Sequence, residues 1–166
     1  MSEAPFTLRI ARPDDANRVQ DVLAASYSTL YRGWYRDEIL AAALPLMTRA
    51  RPELLASGRY FLCQWQGRAI ACGGWSFANP RGGADAGRGH IRHFGTHPDF
   101  TGRGAASAMV ERCLGEARAG GCMEMECLAS LTAEAFYAGR GFKTVAPTSI
   151  SVGGAAFACM LMRREL

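Results

Sequence analysis

The sequence predicts an α/β chain in which helices flank a mixed sheet, and three stretches carry the prediction. Residues 90–96 are strand-like, residues 97–102 form a turn marked by Pro98, Asp99 and Gly102, and the next segment reads as a helix running to Ala119. In that helix Ala106, Met109, Val110, Cys113, Leu114 and Ala117 recur at helical spacing. Residues 59–65 and 68–76 flank Gln66-Gly67, a two-residue hairpin signal. Residues 123–129 are apolar but for Glu124 and Glu126, as in a strand with one buried face. Strand–helix–strand order gives parallel neighbours and hairpins give antiparallel ones, so both occur in one sheet.

The remaining elements follow in chain order. Residues 6–12 alternate and read as an opening strand. Pro13-Asp14-Asp15 is a helix start, with proline at the turn and acids at the positive end of the dipole. That helix should span residues 14–27 and turn Val19, Val22, Leu23 and Ser26 inward. Residues 36–56 are rich in alanine and leucine and helical, interrupted at Pro45. Between these helices residues 27–35 are dense in aromatics; their rings either cap the core or wall a substrate pocket, with Tyr31 and Trp34 as the candidates. Residues 79–89 are glycine-rich and nearly free of apolar side chains, hence a loop, either a plain connector or a lid. Ser130 can cap a short helix over 131–139, ended by Gly139 or Gly141, and two more strands fit residues 142–145 and 155–162. With no internal repeat and no linker, residues 1–166 read as one domain.

Composition narrows the function classes. The chain has 166 residues, 49% of them hydrophobic and 20% charged, which suits a globular domain with a real core and excludes disorder. No apolar run is long enough to span a membrane, and the N-terminus has no basic segment followed by an apolar core, so the expected compartment is the cytoplasm. A net charge of +4 favours an anionic ligand, while scattered arginines without interleaved aromatics argue against nucleic acid. Cys63, Cys72, Cys113, Cys122, Cys127 and Cys159 form no C-x-x-C pair and sit in apolar stretches, so they read as buried thiols, and the few histidines lack metal-ligand spacing.

The turn before the helix ending at Ala119 is a candidate anion site. The first amides of a helix have no intrahelical partner, and the dipole adds partial positive charge. Gly102, Gly104, Ala105 and Ala106 would let a phosphate approach that backbone, and Arg103 adds a full charge. It is neither a P-loop, since no Gly-Lys-Ser/Thr follows, nor a G-x-G-x-x-G fingerprint.

Thr101-Gly102-Arg103-Gly104-Ala105-Ala106 resembles the phosphate-cradling motif Gln/Arg-x-x-Gly-x-Gly/Ala of the GNAT superfamily, the acetyl-CoA-dependent N-acetyltransferases. Its Gly and Ala match; Thr101 departs from the usual first residue. Ala133, Phe136, Tyr137, Gly141 and Phe142 match the family's Ala-x-x-Phe-Tyr-x-x-x-Gly-Phe segment, in the family's order. The resemblance covers residues 60–145 well and the N-terminal third in outline. It implies a central mixed, mostly antiparallel twisted sheet of about seven strands flanked by about four helices.

It also implies a chemistry: direct acetyl transfer from acetyl-CoA, with no metal, to a primary amine of a small molecule or peptide. Residues 101–107, from Thr101 to Ser107, would hold the coenzyme phosphates. A bulge at Gly95 would free backbone groups in the preceding strand. By resemblance Phe94, Gly95 and Thr96 bind the pantetheine arm and polarise the thioester carbonyl. Tyr137 matches the tyrosine near the coenzyme sulfur and would protonate the leaving thiolate. Ser130 stands where many members have a coenzyme-contacting asparagine. For the base, counting back from Gly104 places His90 where members carry Glu or His, with Arg92 on the same face toward the acceptor; His93 and water are the alternatives, and His97 belongs to the turn. The family often dimerises, so a homodimer is compatible. Two other readings remain: a coenzyme-A-binding regulatory module without transfer, and a protein-interaction domain without coenzyme.

Overall fold

Seven strands form one sheet in the computed structural model, which describes residues 6–166. In chain order they are β1 (Thr7–Ile10), β2 (Tyr60–Trp65), β3 (Arg68–Ser76), β4 (Arg88–Thr96), β5 (Glu124–Ser130), β6 (Lys143–Val152) and β7 (Ala155–Glu165), and the sheet order is β1-β2-β3-β4-β5-β7-β6. Among the described residues β4 and β5 are the one parallel pair. The helices are α1 (Ala16–Leu30), α2 (Asp37–Met47), α3 (Pro52–Leu55), α4 (Ala105–Ala119) and α5 (Glu134–Ala138), with single 3-10 turns at Pro13–Asp15 and Pro98–Phe100. The expected mixed, mostly antiparallel sheet is present, and five helices take the place of about four.

Each face of the sheet has its own core. On one, α4 buries Ala105, Met109, Val110, Cys113, Leu114 and Ala117 against Ile70, Trp75, Met125 and Cys127. On the other, α1 and α2 bury Val19, Val22, Leu23, Leu40 and Ala43 against Tyr60, Leu62, Cys72 and Phe157. All six cysteines are free and buried. The Gln66-Gly67 turn has positive φ at both residues, 49° and 76°, the twist a two-residue hairpin needs.

Three local expectations shift. Pro45 does not interrupt α2, which runs to Met47 and closes with the Thr48 amide on the Leu44 carbonyl at 3.0 Å; the break falls before Pro52, which opens α3. Ser130 is not a helix cap: it ends β5, and α5 begins at Glu134 after Ala133. The strand expected at 142–145 runs through Val152 as β6.

Candidate active site

β4 and β5 pair only at Arg88–Glu124, Gly89–Met125 and His90–Glu126. Beyond that point the two strands part, and residues 91–96 of β4 and 127–130 of β5 line opposite walls of a cleft of about 1120 Å3. The start of α4 closes one end of the cleft, through Thr101, Gly102, Arg103, Gly104, Ala105, Ala106 and Ser107. Gly102 (φ 74°) and Gly104 (φ 87°) are left-handed, which only glycine adopts without strain, and a Cβ on either would meet nothing within 4 Å. Gly104 caps α4 with no side chain, so the open donors of the first turn are left to the cleft.

The bulge lies one step from where Gly95 suggested it. Cys72 pairs with Gly95 and Gly74 with Arg92, so His93 and Phe94 together face Gly73 alone. His93 takes φ 56°. Gly73 makes room: a Cβ there would fall 2.5 Å from the Phe94 ring. Two hydroxyls from the α1 face fix the bulge, Tyr60 donating to the His93 carbonyl at 2.7 Å and Tyr27 to the Phe94 carbonyl at 2.6 Å. The Thr96 amide donates to Ser26 Oγ at 3.3 Å. Gly95 stays in register, and its bare Cα admits Leu23.

Tyr137 enters the cleft from α5. Its ring packs edge-on against Phe94, at 6.4 Å, and against Phe142, at 5.4 Å. Burial, then the Cys127 thiol beside it, pushes its pKa well above the ordinary phenol value, so it holds its proton. Tyr31 stacks on Tyr27 at 4.7 Å and meets Ser130, and both Tyr31 and Ser130 line the cleft. His93 lines it too; its Nε2–H donates to the Met47 carbonyl, and burial lowers its pKa to about 4, leaving the ring neutral.

Two expected site residues lie elsewhere. His90 is 1% exposed and lines no part of the cleft. It sits where β4 is still paired on both sides, with Nε2 3.3 Å from Asp85 and Nδ1 3.6 Å from Glu126, among Arg81, Arg88 and Arg163. Trp34, 56% exposed, points away from the cleft, while its neighbours Tyr31 and Tyr35 turn inward onto Phe157. His97 keeps to the turn, its Nδ1 accepting from the Asp99 amide at 3.1 Å.

Sequence reasoning missed Arg51 and Phe157 on the cleft wall, and it reached Tyr27 and Arg81 only as members of the 27–35 and 79–89 stretches. Tyr27 also ends α1's buried stripe, while Arg51 sits in a connection and carried no signal. The 79–89 loop is not a bare connector: Asn79 Nδ2 donates to Asp85, and Arg81 bonds buried Glu126 at 3.3 Å. Among the described residues no His, Cys, Asp and Glu cluster could hold a metal, and no helix is long and apolar enough to cross a membrane.

A family model described as "Acetyltransferase (GNAT) family" matches residues 21–142. No curated protein matches the chain. Among solved structures, a GCN5-related N-acetyltransferase of Rhodopseudomonas palustris is 22% identical, with a TM-score of 0.82 over 100% of this chain and 99% of its own. The PaiA N-acetyltransferase of Thermoplasma acidophilum, in complex with coenzyme A, is 14% identical, with a TM-score of 0.72 over 100% of both chains. The ribosomal-protein-S18-alanine N-acetyltransferase of Escherichia coli is 13% identical, with a TM-score of 0.64 over 96% of this chain and 93% of its own.

Proposed function

The chain belongs to the GNAT acetyltransferase family, and from that membership we propose that it moves an acetyl group from acetyl-CoA directly to a primary amine held in the same cleft. The observation that carries this reading is the parting of β4 from β5 with an uncapped helix start at one end. The coenzyme pyrophosphate takes the open amides of residues 105–107, with Arg103 beside them, and the pantetheine arm runs between the strands along Gly95 and Thr96. The coenzyme-A-bound Thermoplasma relative supports this choice of ligand.

In the reaction the amine nitrogen attacks the thioester carbonyl carbon. The Phe94 amide, put out of register by the bulge, donates to the developing oxyanion, a contribution of about 10²–10³ in rate. The C–S bond then breaks, and Tyr137, still protonated, supplies the hydrogen bond and proton that the thiolate needs. Water takes the proton from the amine. His90 is walled off, His93 with a pKa of about 4 is a weak base, and among the described residues no carboxylate lines the cleft.

Melting in the presence of acetyl-CoA tests the reading. Coenzyme at 100 times its dissociation constant should add about 2.7 kcal/mol. A melting temperature unmoved by saturating acetyl-CoA or CoA would overturn it.

A further inference from the structure

Which amine the cleft takes is written in its charges. Among the described residues the charged side chains that line it are Arg51, Arg81, Arg92 and Arg103, with no Asp, Glu or Lys. Arg103 stands at the α4 end, its guanidinium 5.0 Å over the Phe100 ring. Arg81 is answered by Glu126 at 3.3 Å. Arg51 and Arg92 are different: among the described residues neither has a carboxylate within 4.0 Å. Arg92 spends one N–H on Ser76 Oγ at 3.0 Å and leaves the rest of its fork unused.

Burial, and next the charge of Arg51, lower the pKa of Arg92; exposed Glu53 attracts it only from a distance. A partly desolvated guanidinium beside a second cation is unfavourable unless an anion joins them. Arg92 also lines the same cleft as Phe94, on the same strand and two residues before it.

Resting on the acetyltransferase reading, we infer that the acceptor is a small amine carrying an anionic group, a carboxylate or a phosphate, which Arg92 grips and Arg51 backs from the rim. Polyamines and basic peptides are disfavoured by the same charges, since among the described residues no carboxylate of the cleft would meet their second cation. The two arginines also lower the pKa of the bound amine, which favours the neutral, nucleophilic form.

The test is acceptor-dependent thiol release from acetyl-CoA with matched probes. L-amino acids are compared with their carboxamides, O-phosphoethanolamine with ethanolamine, and spermidine serves as the polycation. Calorimetry of the same probes on CoA-loaded protein is run beside it. The anionic member of a pair should lead in kcat/KM, and in affinity, by at least about tenfold. The first pair reports a carboxylate and the second a phosphate. Arg92→Gln should erase the preference through KM with coenzyme affinity unchanged, Arg92→Lys should restore part of it, and Arg51→Gln should weaken it. Equal or better use of the uncharged or polycationic probes overturns the inference. So does a preference that survives both glutamine variants, or the absence of anionic-probe binding to CoA-loaded protein. Loss of the acetyltransferase reading looks different: the coenzyme itself would not bind, or no probe would release thiol while the anionic probes still bind.

Discussion

Tyr137 and His93 are both buried titratable groups on the cleft wall, and burial drives them in opposite directions. The Tyr137 phenol is raised, so it stays protonated, as the proposed donation to the thiolate requires. Tyr137→Phe keeps the ring and removes only that proton, so steady-state kinetics should read a fall in kcat of about 10² with coenzyme affinity unchanged. A silent variant would reduce Tyr137 to packing against Phe94 and Phe142. The His93 imidazole is lowered to about 4, so the unfolded chain binds its proton more readily than the folded one. Its contribution to stability is complete above about pH 6.5 and is lost as pH falls toward 4. Thermal melts at pH 7 and 4.5 should show a smaller acid loss in His93→Asn, a residue that tolerates the left-handed φ of 56°, than in the parent. Equal losses would contradict the shift. The place of residues 101–107 and Tyr137 on the cleft wall was legible in the sequence, because local motifs carry them. His90 was not, because strand parity says nothing of Asp85 and Glu126, which close over it from a loop and a neighbouring strand.

Two elements aim backbone at the cleft. The first is the start of α4, whose glycine turn was visible in the chain because left-handed φ and small side chains leave a compositional trace. Gly104→Glu would set a carboxylate beside the pyrophosphate and cost about 1–2 kcal/mol in backbone strain. Calorimetry should find coenzyme binding lost in a protein that still melts cooperatively; unchanged affinity would remove this turn from the site. The second is the bulge of β4. Sequence placed it at Gly95, the residue that usually permits irregularity. It falls on His93 and Phe94, because Gly73 across the ladder frees space for the Phe94 ring while Tyr27 and Tyr60 hold the two carbonyls. Those supports come from α1 and β2, distant in the chain, so no local pattern announces them.

On the scale of the whole molecule, the cleft is a property of sheet order. β7 pairs with all of β5, from Glu124–Glu165 to Ser130–Cys159, so β5 keeps a partner where it leaves β4. The sheet therefore opens between β4 and β5 while each strand stays paired on its other side. Hairpins and helix periods predicted the elements, and through them the fold class. They could not predict that β7 inserts between β5 and β6, since strand order depends on contacts between remote segments. In the proposed reading the coenzyme lies in this opening, with its phosphates on α4 and its thioester at the bulge. Backbone hydrogen exchange with and without saturating CoA tests it most directly. Exchange should slow at residues 94–96 and 105–107, with β1 and the β6 edge unchanged. Exchange unaltered at both segments while CoA is bound would place the coenzyme elsewhere.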